Sequence, residues 1–289
     1  MVSLSNQAIS ACSAVSSSSR MEDWFVAHDI FSLAGKVIAV VGAGSGIGEA
    51  IALGAADQGA AHVACVDMHQ PGAAATAAQI AARGGTASAV AMDIADADGT
   101  RACLEQLAAT HGAVDGLVCT PSINVRKPIL AYSGDEFDRV VRVNLRGNFN
   151  VLQAAGRIMT QQQRGSIVLY SSIRSLVTEP GQSVYAMTKA GILQLAKTAA
   201  TEWATLGVRV NAVGPGVVET PLTAPIKANK DWYDAYAKKS PMQRWAQPSE
   251  MVGPTLFLLS DAASYVTGTI IYADGGWLAA DGRFMPPGM

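Results

Sequence analysis

The chain has 289 residues, 49% of them hydrophobic and 15% charged, with a formal net charge of −2 and a pI near 6.1. That composition buries a sizeable core and argues against disorder outside the ends. No run of Lys or Arg supplies the concentrated basic face that a phosphate backbone requires, and every apolar run is strand-length or broken by Gly and charge, which excludes nucleic acid and a membrane span as expectations.

Residues 1–20, MVSLSNQAISACSAVSSSSR, are Ser-rich and lack both a basic start and a solid hydrophobic centre, so they fit a secretory signal poorly. They read as a loose, partly flexible extension over residues 1–33, with Met21 as an alternative start. From Gly35 a rhythm begins. KVIAVVG is a short β-branched run, followed by Gly-rich punctuation and the Ala-rich IGEAIALGAADQG. HVACVD, ASAVAMD, GLVC, SIVLYSS, VRVNAVGPG and GTIIYADGG continue the alternation of apolar run and helical segment. Runs that are apolar throughout suit strands buried on both faces. The expected fold is therefore α/β, a single Rossmann-type doubly wound parallel sheet with helices on both faces over residues 34–289. The tail from about Trp277 is apolar enough to lie on a neighbouring chain or close over a pocket. Ligands of such sheets bind at the carboxyl ends of the strands.

The four cysteines, Cys12, Cys65, Cys103 and Cys119, form no C-x-x-C pair and read as reduced thiols of a cytoplasmic protein. His28, His62, His69 and His111 show no ligand spacing with Cys or Glu, so no catalytic metal is expected.

VVGAGSGIGEA places Gly42, Gly44, Gly46 and Gly48 between a strand and a helix, with the spacing G-x-x-x-G-x-G through Gly42, Gly46 and Gly48. Such a loop lets backbone N–H groups approach a pyrophosphate at a helix N-terminus, although it also occurs as a merely tight turn. HVACVDMH ends its strand on Asp67, about 20 residues further on, where a carboxylate accepts from adenosine ribose hydroxyls. A carboxylate there repels a 2′-phosphate, and neither Ser45 nor Met68 supplies a cation, so NAD is expected over NADP. Asp93, in VAMDI, reads equally as a partner of the adenine amino group or as a surface loop residue.

SVYAMTKAG sets Tyr185 and Lys189 four apart, on one face of a helix. Ser171 and Ser172 end a strand upstream, and VRVNLRGN places Asn144 in a long helical segment. Together these motifs resemble the short-chain dehydrogenase/reductase family from Gly35 to about Gly276, in particular members that act on sugar acids, polyols or small ketones. The resemblance implies a catalytic tetrad of Asn144, Ser172, Tyr185 and Lys189. It also implies cofactor contacts at Gly42, Ser45, Gly46, Ile47, Gly48, Asp67, Asp93, Ile94, Thr120, Pro215, Gly216, Val218 and Thr220, besides Tyr185 and Lys189. A tyrosine with a pKa of about 10 is a poor base at pH 7, and a nearby ammonium and an oxidised nicotinamide favour its phenolate. Ser172 then steadies the reacting oxygen, and Asn144 is similar to the residue that positions a relay water; their plainer alternatives are a strand-end hydroxyl and a buried amide bonded to backbone.

Two positions depart from the family. Val41 stands where a Thr usually precedes the first glycine, losing a hydroxyl that bonds to neighbouring backbone, and CTPS (Cys119–Ser122) replaces Asn-Asn-Ala-Gly, which leaves cofactor affinity open. INVRKP beyond it is similar to the segment of members acting on sugar acids and polyols. Arg126 and Arg174 are candidates for meeting a substrate carboxylate or hydroxyls, with a surface role as the alternative. The segment TAPIKANKDWYDAYAKKSPMQRWAQ is similar to the family's variable substrate cover, or is a solvated helical hairpin. The expected activity is NAD(P)-dependent, NAD-preferring interconversion of a secondary alcohol and a ketone on a small polar molecule. A 3-oxoacyl-type reductase and a silent NAD(H)-binding regulator are the alternatives. The resemblance also implies a homotetramer, or a homodimer.

Overall fold

The computed structural model describes residues 29–280. Most of the expected extension at residues 1–33, with Cys12 and His28, and the end of the C-terminal tail lie outside the described residues. In chain order the elements are β1 (Val37–Val41), α1 (Gly46–Asp57), β2 (His62–Asp67), α2 (Gln70–Ala82), β3 (Ala87–Ala91), α3 (Ala97–His111) and β4 (Gly116–Cys119). There follow α4 (Gly134–Val141), α5 (Asn148–Gln162), β5 (Gly165–Tyr170), α6 (Ser183–Trp203), β6 (Val208–Pro215), α7 (Ala224–Lys227), α8 (Lys230–Lys239), α9 (Val252–Leu259) and β7 (Ile270–Ala273).

The seven strands pair in the order β3-β2-β1-β4-β5-β6-β7, and every pairing is parallel. The cause is visible in β1, VIAVV, whose five residues are all buried. Because side chains alternate across a strand, Ile38 and Val40 join one core layer with α1, α2 and α9. Ala39 and Val41 join the other, with α3, α5 and α6. Each large aliphatic side chain buried this way contributes roughly 1.5–3 kcal/mol. A strand with one polar face could not occupy the centre of this sheet.

Strand order reverses beside β1, which lies between β2 and β4, so the crevice where a ligand binds opens at the ends of β1 and β4. The chain turns there at Gly42, whose φ is +90°. A Cβ on Gly48 would lie 2.0 Å from the Gly42 carbonyl oxygen, so α1 can seat on the loop only with glycine at that position. The hydroxyl missing at Val41 is supplied from the opposite strand: Thr120 donates both its N–H (3.0 Å) and its Oγ1 (3.1 Å) to the Val41 carbonyl. The CTPS departure therefore keeps the two strand ends tied by a different route. Among the described residues, no helix is long and apolar enough to cross a membrane.

Candidate active site

Helix α6 carries Tyr185 and Lys189 one turn apart, against the end of β5. The Lys189 side chain is almost wholly buried, and its Nζ donates to the Tyr170 carbonyl at 2.9 Å while standing 5.5 Å from the Tyr185 ring centroid. Ser171 Oγ donates to the Lys189 carbonyl at 2.8 Å, so strand end and helix are pinned together at this turn. Burial pushes the Lys189 ammonium down to about 8. Ser172 sits in extended backbone with its hydroxyl accepting the Arg174 N–H at 3.1 Å. Burial raises the Tyr185 phenol, and Ser172, Arg126, Arg174 and Ser122 act against that rise. The downward pull expected from Lys189 is thus supplied by hydroxyls and guanidinium groups across the pocket.

Asn144 lies not in a continuous α-helix but in a π-helical turn, Arg142–Gly147, between α4 and α5. Such turns recur at functional sites because they redirect one side chain out of helical register. Its fully buried amide accepts the Ile123 N–H and donates to the Ile123 carbonyl, both at 2.8 Å, and also donates to Thr188 Oγ1 at 3.2 Å. Asn144 thereby fixes the loop after β4 against α6, the backbone-bonded arrangement that the sequence left as the plainer alternative.

The expected cofactor residues gather along the crevice. No side chain caps the first turn of α1, so the N–H groups around Ser45, Gly46, Ile47 and Gly48 are of the kind that receive a pyrophosphate. Asp67 accepts the Gly44 N–H on Oδ2 (2.9 Å) and the His69 N–H on Oδ1 (2.8 Å), which locks its carboxylate at the end of β2 beside the glycine loop. Asp93 is exposed and accepts the Ala95 N–H at 2.9 Å, while Ile94 is buried against Gly147 and α5. After Pro215, the Gly216 N–H donates to Ala273 (3.0 Å), and the Val218 carbonyl accepts Thr223 Oγ1 (2.7 Å). A Cβ on Gly46 would come within 3.5 Å of both Thr220 and Pro221, so this loop closes against the glycine loop. These residues fit a dinucleotide laid from Asp67 across the glycines to Tyr185.

Arg126 and Arg174, assigned from sequence with a surface role as alternative, both line the pocket that contains Ser172 and Tyr185. Leu222, Thr223, Ile226 and Tyr236 line the same pocket, so the segment after β6 covers it rather than forming a detached hairpin. Sequence reasoning missed Glu179, Gln182, Asn124 and Tyr236. The signal available for Glu179 was its place: any charge between Ser172 and Tyr185 must fall on the loop over the reacting groups. Asn124 Oδ1 is buried in this pocket without a hydrogen-bond partner, as expected of a group that a ligand completes.

A family model described as enoyl-(acyl carrier protein) reductase matches residues 42–278. The chain is 34% identical to 2-dehydro-3-deoxy-D-gluconate 5-dehydrogenase of Pseudoalteromonas atlantica, covering 86% of this chain and 98% of that one. It is 36% identical to a 3-oxoacyl-(acyl-carrier-protein) reductase of Thermotoga maritima, covering 84% and 98%. Among solved structures, an NAD(P) dependent gluconate 5-dehydrogenase from Beutenbergia cavernae, with NADP bound at low occupancy, superposes with a TM-score of 0.83 at 42% identity, covering 86% of this chain and 99% of that one. With a glycine loop, a strand-end serine and the Tyr-Lys pair arranged on a seven-stranded parallel sheet, the chain belongs to the short-chain dehydrogenase/reductase family and resembles its sugar-acid dehydrogenases.

Proposed function

We propose that this protein is an NAD-dependent oxidoreductase that interconverts a secondary alcohol and a ketone on a small polar substrate, a hydroxy acid, sugar or polyol. The observation that carries the reading is one pocket in which Ser172 and Tyr185 stand opposite Arg126 and Arg174. Tyr185 takes the proton from the substrate hydroxyl during oxidation and returns it during reduction. Ser172 hydrogen-bonds the reacting oxygen and steadies the charge that develops there. Lys189 holds the nicotinamide ribose, and the Ser172 hydroxyl with the Arg126 and Arg174 guanidinium groups favours the phenolate. Asn144 holds the loop that borders the pocket. When bound, the nicotinamide exchanges the hydride, and its oxidised form adds a positive charge that favours the Tyr185 phenolate.

Asp67 supports NAD over NADP, because a carboxylate held at the end of β2 beside the glycine loop would repel a 2′-phosphate bound there. The NADP in the Beutenbergia structure supports the opposite preference, so both cofactors belong in the test. An acyl-carrier substrate is the second reading, favoured by the Thermotoga relative; the charged wall of Arg126, Arg174 and Glu179 supports a small polar substrate against it. The experiment is hydride transfer with NAD+ and NADP+ over a panel of hydroxy acids, polyols and 3-oxoacyl thioesters, for wild type and Tyr185→Phe. Tyr185→Phe is expected to lower kcat by roughly 10²- to 10⁴-fold while leaving NAD+ binding intact. Turnover independent of Tyr185 would sink the mechanism, and NAD+ binding without any turnover would favour a silent regulator.

A further inference from the structure

Glu179 takes no part in the proton transfer, yet four side chains converge on its carboxylate. Arg126 Nη1 donates to Oε1 at 2.7 Å, and Arg174, Gln182 and Tyr236 each donate to it as well. All four donors line the pocket of Ser172 and Tyr185, and Glu179, with Arg174 and Tyr236, also lines a second cavity of about 660 Å³. An indole ring lies against each guanidinium: Arg126 is 5.2 Å from the Trp232 centroid and Arg174 is 5.5 Å from that of Trp277. Burial pushes the Glu179 carboxyl up, but the hydrogen bonds of Tyr236, Gln182 and Arg126 and the charge of Arg174 outweigh burial and keep it below its ordinary value. It is therefore an anion at neutral pH.

Three of these donors share Oε1 and Arg174 takes Oε2, so the carboxylate is engaged chiefly by protein donors and the wall offers a substrate mainly guanidinium N–H groups. Each guanidinium carries five N–H donors, and Arg126 uses those of Nη1 on protein while Arg174 uses Nη2, so both keep donors for a ligand. Two arginines and one carboxylate leave the wall with one net positive charge.

We infer that Glu179 is a charge-selecting positioning residue: it holds Arg126, Arg174 and Tyr236 in place and cancels one of the two arginine charges, so that the pocket takes a substrate bearing one carboxylate in preference to a neutral polyol or a dicarboxylate. This rests on the hydroxy-acid reading of the pocket given above. Without Glu179 the wall would carry two net positive charges, matching a dianion rather than a monoanion, and the arginines would lose the partner that holds them in place.

The test uses D-glucitol, D-gluconate and D-glucarate, which carry no, one and two carboxylates on one carbon skeleton. For the wild type, kcat/KM is expected to be highest for gluconate, by roughly tenfold over either of the others, the size of one screened charge interaction. Glu179→Gln should raise the glucarate-to-gluconate ratio by roughly tenfold, and Glu179→Asp, which keeps the charge, should leave the ratio near that of the wild type. The ratios cancel any general loss of activity. Equal losses on all three substrates in Glu179→Gln would reduce Glu179 to a packing residue and overturn the inference. Should Glu179→Gln fail to fold, the wild type alone still decides, because glucarate oxidised as well as gluconate also overturns it. If the wild type oxidises none of the three, the hydroxy-acid reading falls and the inference falls with it; if gluconate is oxidised but the ratios do not respond to charge, only the inference fails.

Discussion

Replacing Asp67 by Asn tests the assignment of the adenosine end of the crevice. The substitution keeps the side chain's size but removes its charge, and one of the two backbone N–H groups it satisfies, from Gly44 or His69, then faces an amide NH2. A 2′-phosphate carries about −1.5 to −2 charges at pH 7. Two unit charges 4 Å apart interact by about 1 kcal/mol in water, and Asp67 is only part-buried at the crevice mouth, so the aqueous figure is the relevant one. Removing the carboxylate should therefore relieve about 1.5–2 kcal/mol of repulsion, which raises the ratio of kcat/KM for NADP+ over NAD+ by roughly 10- to 30-fold. The gain should shrink as salt is added, because the pair faces solvent. The unsatisfied N–H should cost about 1–2 kcal/mol of stability, read from urea unfolding. The assay is initial rate against each cofactor at one saturating substrate concentration. A ratio that stays within twofold of wild type, or a wild type that already prefers NADP+, would refute the placement of the ribose hydroxyls at Asp67.

Lys189→Met should abolish turnover yet stabilise the free protein at pH 7. The difference between 10.5 and about 8, at about 1.4 kcal/mol per pH unit, is about 3 kcal/mol. The lowered value means that the unfolded chain binds the Lys189 proton more tightly, so burial of the ammonium costs most below about pH 8, and the cost fades as pH rises from about 8 toward 10.5. The excess Tm of the variant should fade over the same window, and a variant less stable at pH 7 would contradict it. Gly48→Ala should lose about 1–3 kcal/mol in denaturant unfolding and weaken NAD+ binding in a titration, since its methyl meets the Gly42 carbonyl. Thr120→Val should cost about 1 kcal/mol, and adding Val41→Thr should restore part of that if the tie between β1 and β4 can be made from either side. We also propose a homo-oligomer, a tetramer or dimer, formed over the exposed Phe137, Phe149 and Met187 on α4, α5 and α6; light scattering should show it, and Phe149→Glu should shift it toward monomer.

Several features could be placed from sequence because the cause is local. Short apolar runs without alternation suit doubly covered strands, and a glycine loop followed by a strand-end acid shows where β1, α1 and β2 lie. Tyr185 and Lys189 share a helix face by spacing alone. Asn144 was harder, because V-R-V-N-L-R-G reads as ordinary helix; the π-helical turn comes with the pairing of its amide to Ile123, a residue 21 positions away.

The sequence by itself determined the α/β class, the order of strands and helices, the glycine loop and the spacing of the Ser, Tyr and Lys proposed to react. These follow from side-chain periodicity, backbone freedom and spacing within single elements. Tertiary structure alone decided the charge of the wall formed by Arg126, Arg174 and Glu179. Glu179 meets Arg126 across 53 positions and Tyr236 across 57, and no local pattern encodes contacts that exist only once the loops after β4, β5 and β6 converge at the carboxyl edge of the sheet. It also decided that Thr120 would replace the hydroxyl absent at position 41, because hydrogen bonding between strand ends depends on which strands lie side by side, and β1 and β4 become neighbours only in the folded sheet.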